Sequence, residues 1–198
     1  MSEEMLVSYC SPTLSGLKTG SLFSCPCDSK KKMSGEISNF NQKLSKKGIR
    51  ILPVRISGRR ALIYVYRPEK LKQDFFDEKV QTILAHKGYD CTNQNRCVCR
   101  LVEKLRKDSE FPHSYLKMRF EQKKEFPHEI GLFLGYPAED VKGFIENKAA
   151  SSKCSGCWKV YGDEQTAMNL FEEYRKCTEI CYRKWKNGAD VEQLTVSI

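Results

Sequence analysis

Phe126-Pro127-His128-Glu129-Ile130-Gly131, then Leu134-Gly135-Tyr136-Pro137, then Trp158-Lys159-Val160-Tyr161-Gly162-Asp163 spell out helix, tight turn, helix, strand and the start of a further helix. Pro127 can open a helix, because its fixed φ suits the first turn and its missing N–H would be unpaired there in any case. Gly135-Tyr136-Pro137 stops that helix, and Pro137 opens another that buries Val141, Phe144 and Ile145 at i, i+3, i+4 spacing. Residues 158–161 are aromatic and β-branched enough for a strand. Gly162-Asp163 then supplies turn and N-cap, and Ala167, Leu170, Phe171, Tyr174, Thr178, Cys181 and Trp185 stripe one face of a long helix. Arg183, Lys184 and Lys186, just before Gly188, complement the negative end of its dipole.

Upstream, residues 49–56 and 61–66 flank Ser57-Gly58-Arg59-Arg60 and read as a β-hairpin. Leu62-Ile63-Tyr64-Val65-Tyr66 is apolar on both faces, as a covered central strand is, whereas Pro53 removes a ladder donor and marks the other run as an edge or bulged strand. Ile37, Phe40 and Leu44 recur at helical spacing before Gly48, and residues 68–76, 79–86 and 98–107 read as further helices. At the start, residues 5–9 read as a short strand. Ser11 then reads as an N-cap with Pro12 at the first helical position, so that Cys10 falls at a strand-to-helix junction. Residues 24–35, with Lys30-Lys31-Lys32, have no apolar period and read as a flexible basic loop, and residues 188–198 as a short tail. Glu110-Phe111-Pro112-His113 recurs as Glu125-Phe126-Pro127-His128 without longer similarity, which is coincidence rather than repeat. The expectation is one α+β domain over residues 1–198. A small, mostly antiparallel sheet from segments near Leu6, Ile51, Ile63 and Val160 is covered by helices and closed by the long C-terminal one.

A length of 198 residues with 40% hydrophobic content suits one ordinary core and falls short of two full domains. The opening Met1-Ser2-Glu3-Glu4-Met5 is acidic and too briefly apolar for a secretory signal, and no run reaches the roughly 18 apolar residues of a membrane span. A cytoplasmic location without membrane contact is therefore expected. There the ten cysteines are better read as reduced thiols or metal ligands than as a disulfide framework. The net charge of +9 favours polyanionic partners without specifying one.

Several side chains could carry chemistry. Cys10, ahead of a helix N-terminus, would have its thiol pKa lowered by the dipole, with Lys18 reinforcing the effect if the helix folds back; a small buried residue is the plainer alternative. His128 is the best general acid or base, with Glu129 beside it, although the pair lacks the His-Glu-x-x-His spacing of a zinc protease. Cys154 and Cys157 have zinc-knuckle spacing, and Cys177 and Cys181 share one helix face at i and i+4, so zinc or iron could be bound. Cys25 with Cys27 and Cys97 with Cys99 make two further close pairs. Arg67, after the central strand, and Lys159, within an aromatic strand, could present cations to an anionic or planar ligand such as a nucleotide or flavin.

The stretches quoted at the outset, together with Glu139-Asp140-Val141, Gly143-Phe144-Ile145 and Cys10-Ser11-Pro12-Thr13-Leu14-Ser15-Gly16-Leu17-Lys18, closely resemble domain of unknown function family 3793. The likeness runs from about residue 7 to residue 177. It implies an uncharacterised protein of mainly anaerobic bacteria, some members lying beside ferrous-iron transport and flavodoxin genes. Two features depart from the family pattern: Gly156-Cys157 stands where a glycine and an aromatic residue precede the Trp-Lys-Val-Tyr run, and Cys25 with Cys27 is not a family feature. The expected function is a thiol-containing protein that binds a metal, cofactor or partner in iron or redox homeostasis, with a redox or iron-handling protein as partner. The alternatives are an enzyme with Cys10 as nucleophile and His128 as base, and a basic nucleic-acid-associated regulator, which the acidic second helix disfavours.

Overall fold

Leu62-Ile63-Tyr64-Val65-Tyr66 has apolar side chains on both faces. In the computed structural model, which describes residues 1–107 and 126–197, these residues lie in the central strand of a three-stranded antiparallel sheet. The strands are β1 (Gly20–Pro26), β2 (Arg50–Ser57) and β3 (Arg60–Tyr66), in the order β1-β3-β2. Gly20 stands opposite Tyr66 in one ladder and Ser57 opposite Arg60 in the other. Pro53 lies in the edge strand β2, where the register shifts between Pro53 and Arg55, so the missing N–H falls at an irregularity.

Strand alternation divides the core in two. Ala61, Ile63 and Val65 face one side with Phe23, Cys25 and Ile51, beneath α1 (Glu3–Leu14) and α2 (Lys30–Leu44). Leu62, Tyr64 and Tyr66 face the other, beneath α3 (Pro68–Asp74), α4 (Glu78–His86), α5 (Gln94–Lys107), α6 (Ile130–Phe133) and α7 (Ala138–Glu146). A two-stranded ribbon of β4 (Cys154–Ser155) and β5 (Lys159–Val160) follows, then α8 (Glu164–Lys186), which packs along α1, and α9 (Val191–Leu194). The α+β class, the single domain and the long C-terminal helix agree with the sequence.

Four local expectations do not hold. Residues 5–9 are helical, because Leu6, Cys10 and Leu14 recur every fourth position and are all completely buried. Pro12 sits inside the last part of that helix; the bond it forgoes would have reached Ser8, on the exposed side where water can serve that carbonyl. Ser11 therefore does not cap, and its hydroxyl donates to the Val7 carbonyl one turn back. Second, the loop expected over 24–35 is mostly ordered structure: β1 runs to Pro26, and Ser29 caps α2 by accepting from the Lys32 N–H. Third, the tail at 188–198 carries α9, opened by a capping box between Asp190 and Gln193 and pinned by the fully buried Val191. Fourth, the segment near Leu6 is no strand, and Val160 belongs to the separate ribbon, while β1 supplies the third strand of the sheet. The Glu110-Phe111-Pro112-His113 tetrad lies outside the described residues. Among the described residues no helix is long and apolar enough to cross a membrane.

Candidate functional site

Gly135 sits at φ 75°, in the left-handed region, and so turns the chain sharply from α6 into α7. The ribbon is fastened to α7 by one side chain. Buried Asp140 accepts from the Trp158 Nε1–H at 2.7 Å and from the backbone N–H groups of Tyr161 and Gly162, each at 2.7 Å. Tyr64 holds the other end, donating its hydroxyl to the Phe133 carbonyl at 2.6 Å and fixing α6 on the sheet. Gly156 permits the ribbon to approach α8, since a Cβ there would stand 2.3 Å from the Phe171 ring.

Between these elements lies a cleft of about 320 Å³, lined among others by Leu22, His128, Tyr136, Phe144, Cys157 and Trp158. Its walls are largely aromatic. Tyr136 stacks on Trp158 with centroids 4.7 Å apart, and Trp158 meets Phe171 edge-on at 4.5 Å. The His128 ring stands 5.4 Å from Phe126 and 4.9 Å from Phe144. Against this border lies Lys18, whose Nζ is 5.0 Å from the Tyr136 centroid and 6.0 Å from that of Tyr174. Desolvation lowers the Lys18 pKa, with the Cys157 and Cys10 sulfurs pulling it back up. Among the described residues no carboxylate lies within ion-pair distance of its ammonium. Desolvation raises the Cys157 thiol pKa, and the charge of Lys18 opposes that rise.

A larger groove of about 720 Å³ runs between α4 and α7. Two ion pairs lie along its walls, Lys79 3.9 Å from Glu139 and Lys142 3.8 Å from Glu146. The aromatic cleft is the smaller space, and at its edge stands the Lys18 ammonium, held over two tyrosine rings. α7 packs against both α4 and β5 and keeps Glu139, Lys142 and Glu146 on its exposed side, a mixed-charge surface.

The residues singled out from the sequence fare unequally. Cys10 is completely buried in mid-helix, not at a helix start; burial pushes its thiol up to about 12, and the nearby Lys18 only partly opposes this. It packs with the core on the α1–α2 face, whereas His128 lines the cleft on the opposite side of the sheet, so the two do not form a nucleophile–base pair. Glu129, adjacent to His128, points into the core instead: it accepts from the Tyr89 hydroxyl at 3.0 Å and from Lys104 Nζ at 2.7 Å. Arg67 is no ligand anchor. It is 2% exposed and donates to the carbonyls of Thr13, Leu14, Lys47 and Val196, tying the end of α1 to the C-terminal segment. Lys159 contributes to the cleft wall, but its ammonium is engaged by the Ala149 carbonyl.

Cys154 lies in β4 and Cys157 in the ribbon turn, while Cys177 and Cys181 lie on α8 against α1, so the two pairs do not converge on one ion. Among the described residues no group of three or more His, Cys, Asp or Glu is placed to hold a metal. Cys177 donates to the Ser15 hydroxyl at 3.2 Å, and the same hydroxyl lies 3.6 Å from the Cys181 sulfur. The two neighbouring thiols act on one another, which lowers the Cys181 pKa and raises that of Cys177. Missed in the sequence were Asp140, which reads as an ordinary acidic first-turn residue, and the role of Tyr136 as the shared wall of the Lys18 contact and the cleft.

The geometry defines an α+β protein with an aromatic cleft framed by a helical turn and a short ribbon. A family model described as "Protein of unknown function (DUF3793)" matches residues 6–195, and the chain belongs to that family. No curated protein and no solved structure matches it.

Proposed function

We propose that this is a binding protein that takes a planar molecule bearing an anionic group, of the mononucleotide or flavin mononucleotide type, in the cleft between α6–α7 and the β4–β5 ribbon. The observation that carries the reading is Lys18, an ammonium held over two tyrosine rings with no carboxylate at ion-pair distance among the described residues. Cation–π contacts of about 0.5–2 kcal/mol offset only part of the desolvation of such a charge, so an incoming phosphate or carboxylate meets a partner already placed and partly dehydrated. His128, Tyr136 and Trp158 add ring surface in the same cleft, whose volume of about 320 Å³ is within the usual small-molecule range. With ten free thiols, one of them Cys157 on the cleft wall, the proposal extends to a reducing, cytoplasmic setting and to a role in redox or iron handling.

Titration calorimetry with flavin mononucleotide and with adenosine monophosphate tests this directly. Saturable binding is expected for at least one of them, weakened roughly ten- to a hundredfold in Lys18→Met, the loss of one charge-assisted contact. No heat from either probe at millimolar concentration, or equal affinity in the variant, would overturn the reading.

A further inference from the structure

We infer that Cys177 and Cys181 form a two-sulfur site for a soft monovalent d10 ion, Cu(I) being the biologically available member of that class. The site is distinct from the cleft and does not depend on what the cleft binds. Three observations carry it.

The two cysteines stand at i and i+4 on the face of α8 that packs along α1, and Ser15 touches both sulfurs at 3.2 and 3.6 Å. They form one polar cluster in an otherwise apolar seam with Val7 and Leu194. Second, α8 is continuous from Glu164 to Lys186, and an uninterrupted helix keeps the Cβ atoms of an i, i+4 pair about 5–6 Å apart. A disulfide needs them at about 3.5–4.5 Å, so closing one would bend the helix. An ion between two sulfurs does not: two bonds in line, each somewhat shorter than the roughly 2.3 Å of four-coordinate zinc, place the sulfurs a little over ~4 Å apart, which side-chain rotation alone can reach. Third, the coordination number is limited. Zinc takes four strong ligands, and among the described residues no third His, Cys, Asp or Glu joins the pair. Soft thiolates with nothing else suit a soft ion content with two ligands.

The binding step balances without redox change. Two S–H bonds break, two sulfur–metal bonds form, and both protons leave to solvent, giving a bis-thiolate complex of charge −1. Lys184 lies near enough to Cys181 for its charge to favour the thiolate, and so the complex. Cys177, half-buried where Cys181 is only 6% exposed, marks the route of entry.

The test is anaerobic titration of the reduced full chain with Cu(I) against a chromogenic competing chelator. Because eight other thiols are present, the comparison is between wild type, the double variant Cys177→Ser/Cys181→Ser, and a control double variant Cys25→Ser/Cys27→Ser. The α8 variant should lose one tight equivalent, and the control should keep it. Alkylation of wild type carrying one equivalent of Cu(I), followed by peptide mass mapping, gives a readout independent of any variant's folding. Cys177 and Cys181 should be the pair whose labelling falls relative to the metal-free protein, and X-ray absorption at the same loading should show two sulfur neighbours. An unchanged equivalent count in the α8 variant, protection of a different pair, or a shell of three or more sulfurs would each overturn the assignment.

Discussion

The two faces of the β1-β3-β2 sheet are closed in different ways. Toward α1 and α2, polar groups end inside protein: Arg67 meets four carbonyls and Cys10 is fully enclosed. Toward α6, α7 and the ribbon, Asp140 and Tyr64 are equally well supplied, yet a cleft remains, and at its edge the Lys18 ammonium meets rings rather than oxygen. Both faces thus include a cation in a low-dielectric setting, and among the described residues Arg67 meets its complement while Lys18 does not. What separates scaffold from site here is saturation. A guanidinium with every acceptor in place has nothing left to offer a ligand, whereas an ammonium held over aromatic faces has.

The sharpest way to break this contrast is Arg67→Met. It removes the donors from four carbonyls, two of them at the C-terminal end of α1, where no basic residue of the helix itself stands. At about 1–3 kcal/mol for each buried group left unpaired, with some relief from water, the loss should be about 3–5 kcal/mol in urea unfolding. A loss under about 1 kcal/mol would mean that the four contacts are not the tie that joins α1 to the C-terminal segment. Asp140→Ala comes next, at about 2–4 kcal/mol, since three donors lose one acceptor and only Trp158 Nε1 among them is on a buried side chain. Its distinguishing mark is local. Emission from Trp158, read in a Trp185→Phe background, should shift to the red as the ribbon loosens, and an unshifted spectrum would show that its ring contacts with Tyr136 and Phe171 hold the ribbon alone.

Much of the scaffold on which this contrast rests was legible from residue pattern. The hairpin around Ser57 and Gly58, the covered central strand, the Asp163 cap and the stripe of α8 all follow from local chemistry that tertiary packing reinforces. The first 14 residues mislead because Ser11-Pro12 imitates a helix start. The four-residue spacing of Leu6, Cys10 and Leu14, visible in the sequence, is the stronger signal, since burying three side chains outweighs one forgone backbone bond. β1 was hidden by its serines: Phe23 and Cys25 face one core and Leu22 the other, but Ser21 and Ser24 dilute the alternation. The residues of the cleft could be singled out one by one, but not their meeting in one place. His128 precedes α6, Tyr136 follows it, Cys157 lies in the ribbon turn and Lys18 lies 110 positions before His128, in the connection between α1 and β1, so only the fold brings them together.

Thiol reactivity offers a milder probe of the same contrast. Iodoacetamide at neutral pH should label the exposed Cys99 and Cys157 of the native protein, and leave Cys10 untouched until the chain unfolds. Burial alone dictates the second result, with the Cys10 thiol pushed up to about 12 and no solvent path to it. Labelling of Cys10 at the rate of Cys157 would put α1 among the mobile parts of the molecule rather than in its sealed face.

The smallest expected effect is also the most specific. Desolvation lowers the folded-state pKa of Lys18 below the unfolded value of about 10.4, so between the two the unfolded chain binds more protons. Stability contributed at this position therefore rises with pH across that window, and the cost of the native ammonium is fully present below it. Lys18→Met, which keeps the length and apolar stem, should stabilise the protein at neutral pH by no more than about 1 kcal/mol, and the gain should vanish as pH passes about 10.4. Melting curves of the two proteins at matched pH read this difference free of the other titrating groups they share. A gain that persists at high pH would come from packing, and a loss at neutral pH would mean that the tyrosine rings alone satisfy the charge. Saturation with a bound anion should reverse the order at neutral pH, because only the wild type then gains the missing partner.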